Sequence, residues 1–495
     1  MSGNSFVDSI KSEPDTETLN GMKAYSSTLD ANLDLFFQCI RSVDDQHLLR
    51  LINCAWGEDA LSCLKVMFNA RDCRKDSVGK GDRRPFHIFL DWLLIHSPKT
   101  VIYNLHVVVQ LGYWKDIIVL ADRSNFEPVI DFIVEQIKID KSELDAADSE
   151  HRVAKVSLLG KYLPGENKSR DGLAQKIRRK LNYSNAEYRQ LKSKLGACVM
   201  VVEQKMSENE WDDIEYSLVP SIAMNRYRKA FMRHSEVRFQ EYLDSVKRGE
   251  TKINAGQVFP HDLVKEYFGV SKLDETIERQ WDELQRSCAS LADTLVMSDV
   301  SGSMSSGFGN VVPMHVSVAL GLLCSAAAPE PWKNLVLTFS SKPKFHRIPE
   351  GSLYARVQSL LGADWGMSTN LEAAFDLILK KAVDHRAAQS EMPKRLMIIS
   401  DMQFNQATSG RDTSFKMAQK KYRQAGYDFP QVVYWNVNGT KSLNFPVSKD
   451  QSGALLLSGY SPNIMRSLVE TGEVTNPMEL LQSILSHPRY AQLRV

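Results

Sequence analysis

The hydrophobic pattern changes period near residue 290, and this change constrains the fold more than any other feature. Before it, Leu35, Phe36, Cys39 and Ile40, then Leu48, Leu49, Leu51 and Ile52, then Leu61, Leu64 and Met67 recur at spacings of three and four. Those spacings put each group on one face of a helix. After it, Leu295-Val-Met runs unbroken into Ser298-Asp299-Val-Ser301-Gly-Ser303, the pattern of a buried parallel strand feeding a tight loop. Strands are then expected at 335–339, 344–348, 395–400 and 431–435, and helices at 312–327, 371–382, 414–425, 463–470 and 477–485. Strand and helix in turn imply a doubly wound parallel sheet, with 335–339 and 344–348 as an edge hairpin.

The expected fold class is therefore α + α/β. At 495 residues the chain is too long for one core. It divides into a polar, disordered tail over 1–17, an all-helical, repeat-like domain over 18–290 without a fixed repeat length, and an α/β domain over 291–495. Sixty-one Lys and Arg against 60 Asp and Glu leave a net charge of +1, which excludes a uniformly basic coat but not local basic faces. Seven Cys without a CxxC pair, no apolar leader and no long apolar run predict a cytoplasmic protein with free thiols that does not enter a membrane. Nuclear and virion-associated locations fit the same pattern.

Ligands of open α/β sheets bind at the carboxyl ends of the strands, where Asp299, Ser301 and Ser303 fall. Hard oxygen donors of this kind suit Mg²⁺ or another divalent cation. The spacing Asp-x-Ser-x-Ser resembles the metal-ion-dependent adhesion site of von Willebrand factor A domains. In that family a Thr from a later Gly-rich loop and an Asp at the end of a later strand complete the site. Thr369, in Gly366-Met-Ser-Thr369-Asn, and Asp401, after Leu396-Met-Ile-Ile-Ser, stand at those positions, with Ser368 as a second hydroxyl beside Thr369. The resemblance implies a Rossmann-like von Willebrand A domain over 291–495 whose Mg²⁺ docks an acidic residue of a partner protein. The competing reading is that Asp299 and Asp401 cap helices and the Ser residues make turn hydrogen bonds.

Further stretches carry a second resemblance: Asn20-Gly-Met-Lys-Ala-Tyr-Ser-Ser-Thr28, Arg71-Asp-Cys-Arg with Gly79-Lys-Gly-Asp-Arg83, Gly112-Tyr-Trp-Lys-Asp116, Val219-Pro-Ser-Ile-Ala223 and Phe259-Pro-His261. They resemble a family of plants, fungi and large DNA viruses in which a helical part precedes a von Willebrand A-like part. The same two-part order is similar, more distantly, to the Ro autoantigen family, whose helical TROVE module binds RNA. That likeness implies a Ro-like ribonucleoprotein component with a HEAT- or TROVE-like first domain. Candidate RNA contacts are Arg71, Arg74, Lys80 and Arg83 around a Gly-rich loop, Arg178, Arg179 and Lys180 with Tyr183 and Tyr188 nearby, and Arg226 and Arg233 on one helix. The bland alternative is a set of solvated helix faces and ordinary ion pairs.

No catalytic constellation accompanies these residues. The position two after Asp299 is Ser301, so an aspartyl-phosphate mechanism lacks its second acid. Gly-x-Ser-x-Gly and His-Glu-x-x-His are absent, and Gly79-Lys-Gly does not have P-loop spacing. A non-enzymatic binding protein is expected, with a protein-only scaffold docking through the same metal site as the alternative.

Overall fold

Five parallel strands with buried apolar interiors, which cannot face water on either side, and one antiparallel edge strand make up a six-stranded sheet. In the computed structural model, residues 13–74, 76–199, 202–270, 272–305, 307, 311–339, 342–363, 369–405, 413–440, 444–470 and 474–495 are described. A short hairpin pairs β1 (Thr16–Glu17) with β2 (Lys23–Ala24). The main sheet contains β3 (Thr294–Ser298), β4 (Leu335–Thr338), β5 (Phe345–Arg347), β6 (Arg395–Ser400), β7 (Gln431–Asn436) and β8 (Ala454–Ser458). Their order is β5-β4-β3-β6-β7-β8, parallel except for the antiparallel edge strand β5. Each fully buried Leu, Ile, Val or Met of β3 and β6 contributes about 2 kcal/mol of burial free energy.

The chain therefore has the α + α/β class, helical before residue 290 and mixed strand and helix after it. β8 was not expected. Gln451-Ser-Gly reads as a turn, and the apolar run Ala454–Leu457 is too short for periodicity to separate strand from helix. The hairpin at 335–348 is present as β4 and β5, although residues 340–341 of its turn lie outside the described residues. The expected tail over 1–17 is too long at its inner end. Residues 1–12 are not among those described, but Thr16–Glu17 is strand, tied down where the Asp15 carboxylate accepts the Ser26 N–H at 2.8 Å.

Two compact units divide the chain, and the division does not fall at residue 290. The first joins the residues up to Pro85 to Lys252–Ala491, and the second comprises Phe86–Thr251 with Gln492–Val495. In the second unit, helices Pro98–Leu111, Trp114–Ser124 and Glu127–Glu150 pack on their sequence neighbours. The Gly-Tyr-Trp-Lys-Asp stretch is a joint within it. Asp116 accepts from Tyr113 N at 2.9 Å and meets His87 Nε2 at 2.7 Å, and Trp114 stacks on Phe132. No described helix is long and apolar enough to cross a membrane.

In the first unit, the segment 77–82 explains why residues 18–85 belong with the sheet. Gly79 must lack a side chain, because a Cβ there would meet Asp72 O at 2.2 Å; Gly81 has φ +70°. This path lets Lys80 N and Asp82 N donate to Asn69 O and Ala70 O at 3.1 and 2.7 Å, satisfying carbonyls at the end of helix Ala60–Arg71. The Lys80 side chain enters the interior. Its ammonium donates to Phe36 O, to Cys39 O at 3.0 Å and to Ser458 Oγ at 2.8 Å, and lies over the Phe36 ring. Burial pulls its pKa down to about 8. Arg41 pairs with the buried Asp82 at 3.0 Å and covers the rings of Phe259 and Tyr460.

Two outcomes follow for this interior. Lys80→Met leaves Cys39 O without its buried donor and Phe36 O with Ser458 Oγ in place of two donors, and should lower unfolding free energy by about 3 kcal/mol in urea titrations. His261 is fully buried beside Phe259 and Tyr460, and burial holds its pKa down to about 3, against 6.5 for the free side chain. Between those values the unfolded chain binds the extra proton. Stability is thus full above pH 6.5 and falls as pH drops toward 3, by about 1.4 kcal/mol per pH unit. His261→Phe should remove that slope from the urea midpoint measured against pH.

Candidate functional site

β3 and β6 are neighbours in space, but the chain leaves β3 for β4 on one side and returns to β6 on the other. This is the topological switch point, where the crevice at the carboxyl ends of the strands opens. Both strands stop in the same way, at Ser298-Asp299 and at Ser400-Asp401. In the sheet's next two strands the last residues are Asn436 and Ser458, so the whole carboxyl edge carries a polar row. The β7 and β8 half of that row is occupied: Ser458 Oγ donates to Phe36 O at 2.8 Å and Asn436 Nδ2 to Phe37 O at 3.4 Å. The β3 and β6 half holds the candidate site.

Helix Pro313–Ala327 fixes the two strand ends. Ser317 Oγ donates to Ile399 O at 3.1 Å and accepts from Asp299 N at 3.0 Å. Gly321 allows the close approach, since a Cβ there would lie 3.0 Å from Ser298 Cβ. Asp299 is fully buried. Its Oδ1 accepts from Ser301 N at 2.9 Å and its Oδ2 from Ser400 Oγ at 2.6 Å. The Ser301 and Ser303 hydroxyls lie 3.1 Å apart. Asp401 is equally buried and accepts from Gln403 N at 3.2 Å. Burial, and then the neighbouring Asp401, push the Asp299 carboxyl above the usual carboxylate range.

Thr369 joins this group through the loop after β6. Its Oγ1 lies 2.7 Å from Gln403 O and 2.9 Å from Asn405 Oδ1. Gly366, Met367 and Ser368 lie outside the described residues. Between Asp401 and Gln403, Met402 has φ +63°, a conformation a bulky side chain adopts only where surrounding contacts impose it. Asp299, Ser301, Ser303 and Asp401 thus come together, and Thr369 is tied to them by Gln403. Asp299 and Asp401 each accept from the amide two residues on, the local turn bond that the competing reading expects, and Asp299 Oδ2 in addition accepts from Ser400 Oγ at the end of β6.

This donor set suits a divalent cation. Two buried carboxylates raise each other's energy, and a cation relieves both the repulsion and the desolvation. The oxygens are hard, but only two of the residues are carboxylates: among the described residues no group of three or more His, Cys, Asp or Glu that could hold a metal ion is present. Ser317, Ser400, Gln403 and Asn405 support the site and were not anticipated. The repeated Ser-Asp at two strand ends is the signal that points to Ser400.

The basic residues are placed differently from expectation. Arg71 and Lys80 are buried in the first unit, and the amides of the Gly-rich loop are used by carbonyls of its own helix, so this loop is no phosphate cradle. Arg74 is half-buried, and of this cluster Arg83 is exposed. In the second unit, Arg178 pairs with Glu166 at 3.1 Å, and Lys180 reaches Asp131 and Glu127 at 2.6 and 2.8 Å. Tyr188 is buried with its hydroxyl on Pro164 O, so it cannot stack on a base. Arg179, Arg226 and Arg233 are exposed.

Two family models match the chain. One, described as a domain of unknown function (DUF2828), covers 18–127 and 173–298; the other, a domain of unknown function (DUF7788), covers 293–488. They meet where the hydrophobic period changes. The chain is similar to a protein of Acanthamoeba polyphaga mimivirus, "Uncharacterized protein L728", with 31% identity over 506 residues, 94% of this chain and 86% of the relative. Among solved structures it aligns with the Ro (RSR) protein of Deinococcus radiodurans at a TM-score of 0.36 and 14% identity, covering 86% of this chain and 91% of that one. A likeness at that score carries no argument about function.

Proposed function

The chain belongs to the family of the mimivirus protein L728, and from that premise we propose that it is a non-enzymatic docking protein working through a cation at its sheet edge. Asp299, Ser301, Ser303 and Thr369 would hold Mg²⁺ or another divalent ion directly or through water, with Asp401 in support. The ion would supply a Lewis-acidic contact for a carboxylate of a partner protein. The observation that carries this reading is the pair of fully buried carboxylates, Asp299 and Asp401, set among hydroxyls at the switch point. We favour docking over catalysis because the position two after Asp299 is Ser301, which leaves an aspartyl-phosphate step without its second acid.

Calorimetry with MgCl₂ should give saturable heat for the wild-type protein and none for Asp299→Ala. Equal heats for the two proteins would refute the assignment.

RNA contact is proposed for the second unit alone. Arg226, Lys229 and Arg233 are exposed on helix Ser221–His234 at spacings of three and four, hence on one face. If that face engages phosphates, Arg226→Glu with Arg233→Glu should weaken binding of a single-stranded RNA oligomer at least about tenfold and flatten its salt dependence. A wild-type protein that shows no saturable RNA binding at low salt leaves the protein-only scaffold as the surviving form of the proposal.

A further inference from the structure

The loop that carries Asp401 into the site is held by the start of the chain. Leu19 N donates to Gln403 Oε1 at 2.8 Å, Asn20 Nδ2 donates to Gln403 O at 2.7 Å, and Thr18 Oγ1 donates to Phe404 O at 2.6 Å. Gly21 and Asn405 form an antiparallel bridge. Beyond it, Tyr25 bridges Phe445, so the segment continues along the loop that follows β7. Leu19 is 76% exposed, whereas Met22, Ala24 and Tyr25 of the same segment are buried, so hydrogen bonds hold the turn and packing holds the strand that follows it.

Gln403 is where this segment meets the site. Its N–H donates to the Asp401 carboxylate, and its carbonyl accepts from both Thr369 and Asn20. A carbonyl oxygen has two lone pairs, and here one serves a candidate ligand and the other the amino-terminal hairpin. With its proton drawn toward Gln403, the Thr369 hydroxyl has lone pairs left to offer a cation.

We infer that Asn20 is a positioning residue for the cation site: the β1–β2 hairpin fixes Gln403, and Gln403 orients Asp401 and Thr369. The inference rests on the cation reading above and adds to it a control from more than 380 residues away in sequence. Outer partners of metal ligands act in this way, and their loss typically costs ten- to a hundredfold in affinity.

The test uses the full chain and Mg²⁺ alone. Asn20→Asp keeps the shape but replaces the donor with an oxygen facing Gln403 O, and Asn20→Ala removes it. Both should weaken Mg²⁺ binding by about tenfold in calorimetry and speed amide exchange over 401–405, with the circular dichroism of the wild type retained. Gln403→Leu, which removes the acceptor for Leu19 N but keeps the backbone carbonyl, should shift affinity in the same direction. A purely structural contact would lower the urea midpoint in EDTA and leave the Mg²⁺ affinity of folded protein unchanged. Unchanged affinity in all three variants, with the wild type binding, overturns the inference alone. Absence of heat from the wild type overturns the cation reading and this inference together.

Discussion

An ammonium group placed in a protein interior is tolerable only if it is surrounded by acceptors, and the first compact unit is organised around one. Lys80 gathers two carbonyls at the end of helix Ala31–Gln38 and the hydroxyl of Ser458 at the end of β8. Those carbonyls lie where the helix macrodipole is negative, which is where a cation is most favoured. The loop that delivers Lys80 spends its own amides on the preceding helix, so one short segment satisfies two helix ends and one strand end. Asp72 extends the arrangement by accepting from Arg489 at 2.8 Å and from Tyr490.

This arrangement has a bearing on the candidate site. A doubly wound sheet exposes a crevice along its carboxyl edge, and here the amino-terminal helix closes that edge over β7 and β8. What remains is the end of β3 and β6, where crossovers run in opposite directions. Local rules are broken there: two carboxylates are buried side by side and Met402 sits in a left-handed conformation. Some buried charges elsewhere have opposite partners or carbonyls, as Asp82 has Arg41 and Lys80 has Phe36 O, and others, such as Asp140, are held by hydroxyls and amides. Such local conflicts collect where a fold keeps something for a ligand.

Much of this was legible in the residues. The change of period marks the shift from helix to strand, and Asp401 is singled out beside Asp299, Ser301 and Ser303 through the resemblance to von Willebrand A domains, with the strand ends of a parallel sheet as the physical reason such residues share one edge. Depth was not legible. Arg71 and Lys80 look like surface charges next to a flexible glycine loop, and only the folded chain shows that Gly79 is required by a carbonyl at contact distance and not by flexibility. The hairpin at 16–24 was hidden for a different reason. Its turn is bonded to residues 403 and 404, and no local pattern records a partner so distant. Tyr188 misled in the same way as Lys80, since an aromatic among basic residues reads as a stacking platform until its burial is known.

The bond from Lys80 to Ser458 spans 378 positions, and this imposes an order on the life of the nascent chain. A ribosome adding about 5–20 residues per second needs roughly 20–75 seconds to reach β8 after Lys80 has emerged. Throughout that interval the helices of residues 31–71 have no sheet edge to cover, and the apolar faces of Phe36 and Phe37 have no permanent home. The junction that the two family models share at 293–298 is therefore a boundary of inheritance and not of folding. A fragment cut at that junction would separate the helix that carries Phe36 and Phe37 from the ends of β7 and β8 that it covers.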